Sequence, residues 1–215
     1  MTTVMPQAAQ RLVAYVALQG GAHRSQVAGM LWPEVNDAHA DGSLRSTMWR
    51  VNKQVPHLLR DVGGTLVLGA DVTVDIVEFT TNARRLTTTS NVMAQQEMLA
   101  HRGGELLPGW YDDWVVFERE RLRQLRLHAL DALADRLCDL GRYADALDIA
   151  LEAVSSEPLR ESAHRTIVRI HIAEGNAVEA VRAYRTCRRL LAAELGVAPS
   201  PAFQRLLATT GIVDA

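Results

Sequence analysis

The 215-residue sequence predicts a mostly α-helical chain in two parts: three helices with a short β-hairpin, then a longer helical portion. Three observations predict it. Apolar residues recur at helical spacing over most of the chain. Two short β-prone runs flank a Gly63-Gly64 turn. One glycine-led pattern recurs 34 residues further on.

The first helix is Ala8–Leu18, an apolar run ended by Gly20-Gly21. Ser25 is expected to cap a second, short helix reaching Leu31, with Trp32 closing its apolar face and Pro33 stopping it. Residues 34–40 read as a polar connection. The third helix spans about 40–55, where Leu44, Met48, Val51 and Val55 form one apolar stripe. The opposite face holds Ser43, Ser46, Trp49, Arg50 and Lys53, with Arg45 at its edge, and Pro56 ends the helix. Leu58-Leu59-Arg60, a turn at Asp61-Val62-Gly63-Gly64 and Thr65–Leu68 then read as a hairpin.

Helical patterns follow at Ile76–Leu86, Val92–His101 and Trp114–Leu140. Leu106–Tyr111 is a break before the long helix, which Asp112-Asp113 are expected to cap. Gly141-Arg142-Tyr143-Ala144-Asp145-Ala146-Leu147 recurs as Gly175-Asn176-Ala177-Val178-Glu179-Ala180-Val181, an offset of 34 that is the tetratricopeptide (TPR) period. The glycine permits a tight turn between paired helices. The small Ala146 and Ala180 let those helices approach closely, and Pro158 falls where such a unit ends.

Composition excludes several function classes. At 48% apolar and 22% charged residues the chain can build a core, and with 5% aromatic that core is one of Leu, Ala and Val. The longest apolar run, Leu12–Leu18, is far short of the ~20 residues a membrane span needs, and the N-terminus does not read as a signal peptide. A cytoplasmic protein without membrane association is expected. Cys138 and Cys187 are too few and too far apart for a disulfide framework or a Cys-x-x-Cys site.

Lys53 is the single lysine among 23 basic residues. It lacks the glycines of a Walker A loop, and kinase, zincin, serine-hydrolase and dinucleotide fingerprints are missing. No enzyme is expected, and neither a cofactor nor a metal. His164 and His171 share a helix face without further ligands beside them, so they read as core or surface histidines. Glu118-Arg119-Glu120-Arg121 reads as a solvated helix face supported by Arg123 and Arg126. Residues 1–74 carry a net +1 and residues 75–215 a net −3, while 43–60 hold four bases and no acid. That basic patch is a weak footprint for nucleic acid.

Three helices followed by a hairpin is the winged helix-turn-helix order. Leu31-Trp32, Leu44-x-x-x-Met48-x-Arg50-Val51-x-Lys53-x-Val55 and Val74-Asp75-Ile76-x-x-Phe79 resemble the DNA-binding half of SARP-type transcriptional regulators. Leu107-Pro108-Gly109-Trp110-Tyr111, Glu118-Arg119-Glu120-Arg121-Leu122, the two repeats and Glu194-Leu195-Gly196-Val197-x-Pro199-Ser200-Pro201 resemble their bacterial transcriptional activator domain. The resemblance covers about 8–207.

It implies a cytoplasmic regulator whose winged helix binds direct-repeat double-stranded DNA, usually as a homodimer. Its TPR-like domain would help to assemble the complex and contact RNA polymerase subunits. Residues 1–74 would be the winged helix-turn-helix, 75–208 the TPR-like domain and 209–215 a tail. Residues 40–55 would be the recognition helix and 58–68 the wing.

A helix fits the major groove when one face packs on its own domain and the other offers donors. Arg50 is the candidate for a guanine edge, and Lys53 for a base or a phosphate. Arg45 and Arg60 would position the duplex through phosphates, and Ser43 and Ser46 could contact either. Trp49 stands where relatives commonly carry a smaller polar residue. It could press on thymine methyls or the sugar backbone, or pack against another chain or the helical half.

Two departures from the family pattern set further expectations. Relatives begin with a small sheet before the first helix, for which this sequence leaves no room, so apolar surface would be exposed. The wing turn carries Asp61 and no base, so its DNA contact would be weak. The alternative is a TPR-type interaction module, or a regulator's partner, that has lost independent DNA binding.

Overall fold

The computed structural model describes residues 4–85 and 105–208. The pattern at Val92–His101 and the 209–215 tail lie outside the described residues. The architecture is mostly α, a winged helix followed by TPR-like helices. Contacts divide the chain into two compact units, 1–78 and 79–215.

In the first unit, α1 (Gln7–Gln19) buries Ala9, Leu12, Tyr15 and Val16, residues three or four apart that share one face. β1 (Ala22–His23) leads into α2 (Arg24–Leu31), which buries Val27, Ala28 and Leu31. The cap of α2 differs from expectation. Ser25 lies inside the helix, and His23 occupies the N-cap, its Nδ1 accepting the Ser25 backbone N–H. An imidazole nitrogen satisfies an orphan helix donor as a serine oxygen would.

The third helix, α3 (Asp37–Gln54), begins three residues earlier than its apolar pattern suggests because Asn36 caps it. The Asn36 side-chain oxygen accepts the His39 N–H at 3.0 Å. Its buried stripe is Ala40, Leu44, Thr47 and Val51. Met48 and Val55, expected in the core, are half-buried. Val55 has already left the helix (φ −130°, ψ 97°), so helical periodicity no longer aims it inward.

β2 (Leu59–Val62) and β3 (Thr65–Leu68) form the expected hairpin, with Val62 opposite Thr65 across Gly63-Gly64. Both turn glycines have positive φ, 60° and 84°. Such a two-residue connection matches the strand twist and admits side chains poorly. β1 adds to β3, giving the antiparallel order β1-β3-β2. Two residues are too short to show strand alternation, which hides β1 in the sequence.

α4 (Asp75–Arg85) follows. In the second unit, α5 (Asp113–Asp139) and α6 (Tyr143–Ser156) form one helical hairpin, and α7 (Glu161–Ala173) and α8 (Ala177–Leu195) a second. Gly141 and Gly175 take the same left-handed conformation at equivalent places, φ 73° and 84°. Ala146 and Ala180 are fully buried where the paired helices meet.

α9 (Pro201–Ala208) closes the unit. Its Phe203 is fully buried and lies edge-on to Tyr184 of α8, ring centroids 5.0 Å apart. The string 194–201 has a mechanical role here. Gly196 ends α8, and the Ser200 hydroxyl accepts the Phe203 N–H at the start of α9. Glu161, in the first turn of α7, accepts from both the Ser200 backbone N–H (2.7 Å) and its hydroxyl. Among the described residues, no helix is long and apolar enough to cross a membrane.

Candidate nucleic-acid interface

The outer face of α3 is the most chemically defined surface of the first unit. Arg45, Ser46, Trp49, Arg50 and Lys53 are exposed, and Ser43 is half-buried. At roughly 100° per residue, Trp49 points directly away from the buried stripe with Lys53 beside it. Arg50 and Ser43 stand about a quarter turn from that stripe. Trp49 is 63% exposed, and the Lys53 ammonium sits 4.8 Å from the centre of its ring. A cation over an indole face is held by the ring quadrupole. The pair therefore presents a flat apolar plate with a charge fixed on it. Ser46 donates its hydroxyl proton to the Ser43 carbonyl at 3.0 Å, leaving its oxygen outward as an acceptor.

The hairpin is registered against this helix by a residue that sequence reasoning missed. Asn52 donates to the Leu59 carbonyl (2.8 Å) and accepts the Leu59 N–H (3.0 Å). This pair of bonds fixes the start of β2 beside the last turn of α3. Arg60, the next residue, is exposed on the hairpin. A polar residue in the last turn of a helix is a common pattern, and the sequence offers no other sign of this pairing.

Asp61 is engaged within the fold. Its carboxylate takes the Arg24 guanidinium at 2.8 Å and the Gly64 N–H at 2.9 Å. The Arg24 hydrogen bond, then the Gly64 one, hold the Asp61 carboxyl below the usual aspartate value. The backbone N–H of Arg24 also donates to the Gly64 carbonyl at 2.9 Å. The wing acid is thus paired with a base from α2, a partner 37 residues away that no local pattern reveals.

Other sequence candidates in the second unit serve its packing. His164 is buried, with Nε2 2.8 Å from the Pro158 carbonyl. Both cysteines are buried, and burial raises their thiols, Cys187 to about 11. They are poor nucleophiles at neutral pH.

Asp112 occupies the N-cap of α5 without a side-chain capping hydrogen bond. Arg119 is not a solvated charge as expected. It binds the carbonyls of Leu106, Leu107 and Trp110 and the carboxylate of Glu105, pinning the segment before α5. Arg126 reaches Glu152 of α6 at 2.6 Å. Among the described residues, no group of three or more His, Cys, Asp or Glu is placed to hold a metal.

Residues 74–209 match the bacterial transcriptional activator domain family, well over half of the chain. The chain belongs to that family. Regulatory protein AfsR of Streptomyces coelicolor is 27% identical over 96% of the chain, and its Streptomyces griseus counterpart 33% identical over 46%. The chain spans about a fifth of the first relative's length (22%) and a tenth of the second's (10%). Mycobacterium tuberculosis EmbR, solved in complex with a low-affinity phosphopeptide, matches 99% of the chain and 62% of its own, with a TM-score of 0.75 and 18% identity. That likeness concerns the fold. The family is one of transcriptional regulators rather than enzymes, and residues 74–209 of this chain are its activator domain.

Proposed function

We propose that this regulator reads double-stranded DNA with α3 and activates transcription through its helical half. One observation carries the reading: α3 splits into a buried stripe and an outward face of Arg45, Ser46, Trp49, Arg50 and Lys53. A major-groove helix needs that split. The assignment gives DNA reading to 1–74 and complex assembly to 75–208, with 209–215 as a tail.

In this reading Arg50 takes a guanine edge through its bidentate fork, with Ser43 lending a hydroxyl on the same flank. Trp49 lies on thymine methyls or deoxyribose, with Lys53 held over its ring for a base or phosphate. Ser46 offers an acceptor to a base amine. Arg45 and Arg60 hold phosphates on either side. The Asp61–Arg24 pair supports a wing contact, because the acid's charge is met within the fold. Family membership supports a cytoplasmic homodimer on direct repeats that contacts RNA polymerase subunits.

The test is capture of genomic fragments by the 215-residue protein beside an Arg50→Ala/Lys53→Ala variant at matched salt. A repeated motif retained by the native chain and lost by the variant is expected. Arg50→Ala alone should weaken specific binding by roughly 1–3 kcal/mol and relax preference at one base position. No enrichment by a folded native chain would replace DNA reading with the partner-module alternative.

A further inference from the structure

Between α3 and the hairpin lies a cation that the proposed interface leaves out. Arg24, the first residue of α2, reaches both elements. Its Nη1 is 3.6 Å from the Met48 sulfur of α3 and 2.8 Å from the Asp61 carboxylate of β2. Neither charged side chain is sealed in the core, Arg24 being 26% exposed and Asp61 35%. A duplex resting on both the outward face of α3 and the hairpin would cross the cleft that Arg24 bridges.

Asp61 stands alone in its stretch of sequence. It is the only acid between Asp41 and Asp71, among Arg45, Arg50, Lys53 and Arg60. The fold nevertheless sets it on Arg24, 37 residues away, rather than on Arg60 beside it. The Gly64 N–H holds the other carboxylate oxygen at 2.9 Å, which keeps the acid aimed at the guanidinium.

Exposed ion pairs add little stability, so the larger consequence of this one falls on the availability of Arg24. A carboxylate and a phosphodiester oxygen compete for the same guanidinium. Asp61 has the advantage of belonging to the chain, which makes its effective concentration high. For a phosphate to take Arg24 the pair must open, leaving the acid to face the duplex, where like charges repel. While closed, the pair has no net charge and releases no counterion.

We propose that Arg24 is a latent phosphate-binding residue which Asp61 withholds from DNA, so that Asp61 limits the sequence-independent affinity of the chain. The proposal deepens the DNA-reading assignment of α3 and the wing and rests on it.

The experiment is a salt series of duplex binding by the full chain, on a random-sequence duplex and on the captured motif. Native, Asp61→Asn and Arg24→Ala/Asp61→Asn chains are compared, and Asn keeps an oxygen for the Gly64 N–H. Asp61→Asn should bind both duplexes several-fold more tightly and by the same factor, because a phosphate contact carries no sequence information. Its slope of log affinity against log salt should steepen by about 1. The double variant should lose the gain and return to the native slope.

Unchanged affinity and slope in a folded Asp61→Asn chain would overturn the proposal. So would a gain kept in full by the double variant, since it would then belong to the deleted acid alone. If Asp61→Asn loses its helical circular dichroism, Asp61→Ser is read in the same way. Unfolding of both would make the pair a requirement of the fold, and the proposal falls. Fragment capture reads base preference, whereas the salt series reads phosphate contact. A captured motif beside no response to Asp61→Asn therefore overturns this proposal alone, and no duplex binding by any of the three chains overturns both.

Discussion

Trp49 is a large aromatic residue held out to solvent with a lysine laid on it, and stability does not require that arrangement. At 63% exposure its removal leaves no cavity, and an exposed cation–π pair is worth about 0.5–1 kcal/mol. Trp49→Ala is therefore expected to leave the melting temperature almost unchanged while weakening binding to the captured DNA motif at least tenfold. Thermal melts and titrations on one preparation check both halves of that statement. Asp61 behaves oppositely, as a structural group inside a functional hairpin. Its folded-state pKa lies below the ordinary aspartate value of about 3.9. Its contribution is therefore present above about 3.9 and lost as pH falls through the lower folded value. A carboxyl chemical-shift titration should find Asp61 below ordinary aspartate, and Arg24→Ala should move it back up.

The sequence makes an element legible where local spacing alone determines it. The outward residues of α3 follow from period 3.6, and the turns at Gly141 and Gly175 follow from a 34-residue repeat. What it hides depends on partners distant in the chain. Asp61 looks like a liability until Arg24 is seen beside it, and β1 exists only through β3. The string 194–201 is a family marker in the sequence, but its link to Glu161 spans 39 residues and needs the folded unit. Asn52 shows how such links matter for function. It supplies both bonds that place Leu59, and Arg60 follows directly. Asn52→Ala leaves a part-buried donor and acceptor unpaired, which costs about 1–3 kcal/mol. Chemical denaturation should show that loss. DNA affinity should drop in the same variant although it keeps all the outward side chains of α3.

At the scale of the whole molecule, the charge balance is unusual for a DNA reader. The chain carries a net −2, and the proposed interface offers Arg45, Arg50, Lys53 and Arg60, with Arg24 beside them engaged by Asp61. Screening limits their reach to about 8 Å at physiological ionic strength, so the local patch counts and the distant acids do not. The proposed roles give phosphates to Arg45 and Arg60, with Lys53 as a third candidate, and a base to Arg50. With about three phosphates neutralised per protomer, log affinity should fall against log salt with a slope of about −3 on a single half-site. A homodimer on a direct repeat doubles the number of phosphates and should bring the slope to about −5. Salt titrations on one-site and two-site duplexes therefore read the stoichiometry directly. Arg45→Ala should make the slope shallower by about 1 per protomer without changing base preference. A slope near zero on both duplexes would remove phosphate contact from α3 and the wing. Equal slopes on both would remove the second protomer.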